Sequence, residues 1–238
     1  MRNPATYRRG AAAVCLVLAG VLSATFIVLA AAPGWGSDGV ARLQAVVDAG
    51  GTATVSFLAF AAYQLPLMIG LLGVAHLLRG RTPLLANLGA TLAGVGAIGY
   101  AVYGGSQLVI PAMVADQSNL ELFAQLRTDA EPLTEPFAAL GMVGSVLGLL
   151  LLSIALWRAK LGPRWIPVTL WGFLAVEFAG TALSPAASGP VSAVLLLVAL
   201  LSLAVLIQRS PVSAWTSAVD MPSLVEHGDE HPGAVTAG

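Results

Sequence analysis

The chain has 238 residues, of which 57% are hydrophobic and 10% charged, with a formal net charge of −1. A soluble domain carries about a quarter charged residues, so the composition argues against a water-soluble globule. The near-balanced charge gives no reason to expect a nucleic-acid partner.

The charges are segregated along the chain. None occurs from Gly10 to Ser37, Ala49 to Leu78, Thr82 to Ala115 or Pro136 to Trp157, and Glu177 stands alone between Trp165 and Gln208. A membrane-spanning helix needs about 20 predominantly apolar residues. Each of the first four windows holds one such helix and the fifth holds two, divided at "SPAASGP" (Ser184 to Pro190), whose prolines and glycine predict a tight turn. The expected architecture is all-α, a bundle of six transmembrane helices at 11–32, 53–78, 84–110, 137–157, 165–183 and 191–208. Together they form a transmembrane domain over 1–209, followed by a disordered cytoplasmic tail over 210–238.

Arg2, Arg8 and Arg9 precede the first helix. Its apolar run, after "YRRG" and before "AAAP", has the outline of a secretory signal peptide, but it exceeds the usual length of a signal core. The helix is therefore read as a retained span. Cys15 is the sole cysteine, so no intrachain disulfide can form and it reads as a packing residue. The following loop, "GWGSDGVARLQAVVDAGGT", places Val40, Leu43, Val46 and Val47 at helical spacing. Such a segment would lie on the surface or close the mouth of the bundle.

In the second helix Gln64 and Tyr63 sit mid-membrane beside Pro66, which frees a backbone carbonyl and predicts a kink. His76, the only histidine in a span, lies one turn before Arg79 at the helix end. It could shuttle protons or act as an interfacial hydrogen bonder. The third helix contains "GVGAIG", Gly94 to Gly99, which spells a dinucleotide-binding fingerprint, with Asp116 and Glu121 downstream. That fingerprint works only between a strand and a helix N-terminus. Inside a membrane helix the backbone N–H groups are already used, so the glycines read as packing surface. Gly89, Ala93, Ala97, Ala101 and Gly105 recur every four residues as a smooth stripe, and the fourth helix offers Gly141, Gly144, Ser145 and Gly148 in reply. Small residues let helices approach closely in lipid. Tyr100, Tyr103 and Gln107 continue the third helix outward as an expected interfacial belt.

The loop "ADQSNLELFAQLRTDAEPLTEP" is acidic and puts Leu120, Phe123, Ala124 and Arg127 on one helix face, lying on the surface or capping the bundle. After the fourth helix, Arg158, Lys160 and Arg164 form a basic hairpin suited to anionic lipid. With Arg79, Arg81 and Arg209, the basic residues fall on one side of a six-span chain, leaving only Arg42 and Arg127 opposite. The positive-inside rule then puts both termini in the cytoplasm of a plasma (inner) membrane protein. In the fifth helix, Glu177 lies near the bilayer centre. An ionisable group there is a functional hypothesis by default, either a proton-carrying or substrate-binding carboxyl, or a structural contact between helices. Gln64, Tyr100 and His76 are its candidate companions.

"LWRAKLGPRWIPVTLWGFLAVEFAG", Leu156 to Gly180, resembles the hairpin of an uncharacterised family of bacterial six-helix integral membrane proteins defined by a domain of unknown function. Arg158, Lys160, Pro163, Arg164, Trp165 and Gly172 carry the match. "ARLQAVVDAGG" and "LLRGRTPLLANLGATLAGVGA" are similar to its first external loop and middle hairpin. The resemblance implies the six-helix architecture and carries no assigned activity.

No catalytic set is legible. Haem held by two histidines lacks its second intramembrane histidine, a zinc-protease helix is absent, and no histidine lies deep enough to activate a serine. The tail sequence "EHGDEH" offers His227, Asp229, Glu230 and His231, read as a solvated segment rather than a metal site. No cofactor, catalytic residue or metal is expected. The partners expected are the lipid bilayer and a second copy or another membrane protein. Three functions remain open: a non-enzymatic interaction, regulatory or envelope-homeostasis role; a small proton-coupled carrier using Glu177; and a lipid-modifying enzyme at the cytoplasmic face.

Overall fold

The computed structural model describes residues 4–30, 38–180 and 185–216, without the side chains of 178, 180 and 185–187. Among the described residues the secondary structure is helical throughout. The helices are α1 (Pro4–Ala30), α2 (Gly39–Ala49), α3 (Gly51–Leu78), α4 (Pro83–Gln107), α5 (Ile110–Met113), α6 (Leu120–Ala159), α7 (Trp165–Ala175) and α8 (Pro185–Arg209). A π-helical segment, Val176–Gly180, continues α7, and a short 3-10 turn, Val212–Trp215, follows α8. Five of the helical runs are long and apolar enough to cross a membrane. The run at Trp165–Ala175 is apolar but shorter.

The five long helices and α7 pack side by side in a closed ring, in the order α1, α3, α4, α6, α7, α8 and back to α1. One end carries the tight connections at residues 79–82 and 160–164 together with the 3-10 turn. We call it the hairpin end, and the end covered by α2 and α5 the cap end. Leu16, Leu71, Leu78, Leu152, Leu156, Leu170, Leu200, Leu203 and Ile207 are buried in the principal core. A second, smaller cluster at the cap end joins Leu43 and Val46 of α2 to Ala53, Phe57, Ile110, Val114 and Ala124. The expected amphipathic segment around Leu43 is thus a helix with its apolar face turned inward, and the face bearing Leu120, Phe123 and Ala124 packs against the same cluster.

Several boundaries differ from expectation. The expected span at 137–157 is the second half of a helix of 40 residues, which runs without a break from the acidic loop through Pro132 and Pro136. These prolines are four apart and both exposed, so the backbone groups they leave unpaired fall on the open face, where they are not buried without partners. "SPAASGP" does not form the expected turn, because Pro185 opens α8 and Pro190 lies inside it. Proline suits the first helical turn, where its missing N–H has no partner to lose. The expected span at 165–183 stays regular only to Ala175, and residues 181–184 lie outside those described. The domain boundary at 209 also moves, since residues 210–216 dock onto the hairpin end. The remainder of the tail, with the "EHGDEH" stretch, lies outside the described residues.

The closest helix pair is α4 with α6, and glycines permit it. A Cβ built on Gly144 would come within 2.6 Å of the Gly96 nitrogen and 2.7 Å of the Leu92 oxygen. One built on Gly99 would lie 2.7 Å from both Gly141 N and Phe137 O, and one on Gly89 would strike Leu152. The backbones therefore touch where the side chains are missing. "GVGAIG" supplies two of these contacts, at Gly96 and Gly99. The expected four-residue stripe is corrected by the same geometry. Gly89 and Ala93 face α6, and Ala97 is buried, but Ala101 is exposed and Gly105 has no atom within 4 Å of its built Cβ. At 3.6 residues per turn, steps of four advance about 40° each, so the stripe winds about 160° round the helix and leaves the seam.

Candidate functional site

Sequence-predicted polar residues separate into two places. The first lies in the half of the bundle nearer the cap end. Phe60 of α3 is its hub, with Phe26, Tyr63, Tyr100 and Tyr103 ring centroids at 4.7, 5.8, 5.5 and 6.2 Å. Gly104 makes room for it, since a Cβ there would meet the Phe60 ring at 2.8 Å. Tyr100 and Tyr103 therefore point into the bundle and form an aromatic cluster with α1 and α3, rather than the expected interfacial belt. Gln64 is 1% exposed. Its amide nitrogen donates to the Phe60 carbonyl at 3.2 Å, and its Oε1 is buried without a hydrogen-bond partner among the described residues.

Glu177 approaches this cluster from α7. It sits in the π-helical segment Val176–Gly180, an irregularity often found at functional positions. The Ser192 hydroxyl of α8 donates to its Oε2 at 2.7 Å, and Tyr63 and Tyr100 lie within electrostatic reach of the carboxyl. Glu177 itself is exposed on the protein surface. Three of the four expected polar residues, Glu177, Gln64 and Tyr100, thus belong to one region. Tyr63 and Ser192 complete it. Serine in an apolar helix gave no signal in sequence, because it is common in spans as a packing residue.

His76 belongs elsewhere. It lies at the hairpin end, its ring stacked on Trp215 with centroids 5.0 Å apart and its Nε2 3.1 Å from the Ala214 carbonyl oxygen. Residues 210–216 form a latch there. Arg9 donates to the Ser210 carbonyl at 2.9 Å, Arg79 donates to the carbonyls of Ala214 and Thr216, and Arg8 reaches that of Trp215. Trp215 is 2% exposed and donates its indole N–H to the Ser210 hydroxyl at 2.8 Å. Arg81 donates at 2.7 Å to the Ala159 carbonyl, satisfying an orphan acceptor at the end of α6. Several of the arginines counted for topology are therefore also structural donors. Arg158, Lys160 and Arg164 are exposed, and the Arg164 guanidinium stands 5.2 Å over the Trp157 ring.

A third place was not recognised in sequence. At the cap end a cleft of about 570 Å³ opens between α2, the end of α4 and the polar half of α6. Arg42 and Arg127 both line it, as do Gln107 and Tyr103.

Together the long apolar helices, their glycine-mediated contacts and the polar groups held among them define a helical multi-pass membrane protein. No family model, curated protein or solved structure matches the chain.

Proposed function

We propose that the protein is a non-enzymatic carrier of the bacterial plasma membrane, with six spans and both termini cytoplasmic, and that Glu177 carries the coupling proton. In this reading Trp165 to Gly180 supplies the fifth of the six crossings, and Arg158, Lys160 and Arg164 rest against anionic headgroups on the cytoplasmic face. The observation that favours carriage over a purely structural carboxyl is the placement of Glu177 in an irregular helical segment, bonded to Ser192 of α8 and within electrostatic reach of Tyr63 on α3 and Tyr100 on α4. A carboxyl at membrane depth binds and releases a proton at a cost that neighbouring hydroxyls reduce.

Proteoliposomes loaded with a pH-sensitive dye and challenged with a panel of amino acids, organic acids and organic cations test this. At least one solute should drive proton movement, Glu177→Gln should abolish it, and Ser192→Ala should slow it. Proton movement unchanged in Glu177→Gln, or absent with every solute, overturns carriage. Orientation has its own measurement. On a Cys15→Ala background, Ser118→Cys should react with an impermeant maleimide in intact cells, whereas Gly80→Cys should react only after permeabilisation. The reverse pattern refutes cytoplasmic termini.

A further inference from the structure

The cap-end cleft gathers charge of both signs. Arg42 from α2 and Arg127 from α6 line it, together with Asp38, Glu131 and Glu135. These two arginines are the only basic residues on their side of the predicted topology, and the fold brings both to one space. Arg127 lies within electrostatic reach of Arg42 and Glu131. Among the described residues, no hydrogen bond or ion pair joins any of these five charged side chains to another. Two guanidiniums held near one another repel, and the arrangement is relieved when an oxyanion enters between them.

Gln107 supplies an independent sign of a missing ligand. It lines the same cleft, is 7% exposed, and its Oε1 is buried with no hydrogen-bond partner among the described residues. A buried carbonyl oxygen left without a donor is destabilising, and an N–H or O–H group brought to it from the cleft would relieve this. A simple anion would meet three carboxylates here, and a simple cation would meet two guanidiniums. A molecule bearing both charges satisfies both sets.

We infer that this cleft is a binding site for a zwitterion, a small molecule or headgroup in which an ammonium stands near a phosphate or carboxylate. Arg42 and Arg127 hold the oxyanion, in the forked geometry guanidinium favours. Glu131, Glu135 and Asp38 face the ammonium, and Gln107 accepts from it. The same chemistry is offered by a free amino-alkyl phosphate or amino acid and by the ethanolamine headgroup of a membrane lipid. Binding at this site is independent of proton movement at Glu177, because it is read at equilibrium and without flux.

The test uses the full chain in an uncharged maltoside detergent, titrated calorimetrically with phosphoethanolamine, glycine, inorganic phosphate and lyso-phosphatidylethanolamine. Phosphoethanolamine or glycine should bind saturably, and phosphoethanolamine at least about tenfold more tightly than inorganic phosphate. The paired variant Arg42→Gln with Arg127→Gln should weaken binding of the zwitterion at least about tenfold. Glu131→Gln with Glu135→Gln should weaken the zwitterion but leave phosphate unchanged or tighter. Tighter binding of the lyso-lipid than of phosphoethanolamine assigns the site to membrane lipid, and equal or weaker binding assigns it to a free solute. No saturable binding of any zwitterion, or binding that survives both paired variants, overturns the inference. Gln107→Leu, which leaves every charge in place and removes the unpaired carbonyl, gives a further reading should either paired variant fail to fold. It should weaken the zwitterion more than phosphate, and equal affinities for wild type and Gln107→Leu would count against the site.

Discussion

Gly144→Val is expected to destabilise the bundle by about 3 kcal/mol, near the upper end of the cost of overpacking a core. The added atoms would enter the α4–α6 seam at a point where the Gly96 nitrogen and the Leu92 oxygen are already 2.6 and 2.7 Å from the Cβ position. Both obstacles are backbone, so no rotamer change relieves the clash, and the helices must separate along the seam. Separation also loosens neighbouring contacts at Gly99 and Gly141. Gly105→Val provides the control, since nothing lies within 4 Å of its Cβ position. It should stay within about 0.5 kcal/mol of wild type, as surface substitutions do. Unfolding against increasing mole fraction of dodecyl sulfate measures both. Similar midpoints for Gly144→Val and Gly105→Val would show that α4 and α6 are not held together as described.

Trp215→Ala should cost about 3–5 kcal/mol, the range for removing a buried large aromatic side chain. The residue lies in a short segment after the last long helix, yet it is nearly inaccessible and makes three separate contacts. It stacks on His76, its indole donates to Ser210, and its ring edge lies 3.6 Å from the Cβ position of Gly73. Removing the ring also loosens the arginine bonds to the carbonyls of residues 210–216, because the segment that presents them is no longer held. Trp215→Phe keeps the packing and loses one hydrogen bond, for about 1 kcal/mol. Limited proteolysis provides a second readout. Cleavage near residue 212 should be slow in wild type and in Trp215→Phe and fast in Trp215→Ala. Rapid cleavage of wild type at that point would contradict a docked latch.

The long helices were legible because apolar length is a local property, and the amphipathic spacing of Leu43 and Val46 placed α2 correctly. What was illegible is long-range. The fourth span was placed only over the charge-free window after Pro136, whereas the exposed placement of Pro132 and Pro136 lets α6 run on through both. Residues 210–216 are too few and too polar to register as structure. Their docking depends on donors from Arg8, Arg9 and Arg79, which sequence reasoning had assigned to topology alone. The glycine stripe was real as far as Ala97, and strict four-residue spacing then misjudged the helical drift. Glu177 was singled out by the cost of placing an ionisable group in lipid, with Gln64 and Tyr100 as its candidate companions. Ser192 carried no such signal, and His76 was drawn into the wrong group by its chemistry. Arg42 and Arg127 were noted only as exceptions to a charge rule. Their convergence needed the fold.

The latch joins the two extremes of the described chain, with Arg8 and Trp215 separated by 207 positions. At ribosomal speeds of about 5–20 residues per second, roughly 10–40 s pass between the emergence of these two residues. During that interval α1 has been made but lacks α8, one of its two neighbours in the ring. The circle of helices can close only after Pro185 to Arg209 have been made. A product stalled before α8 therefore presents the open flank of α1 to the bilayer.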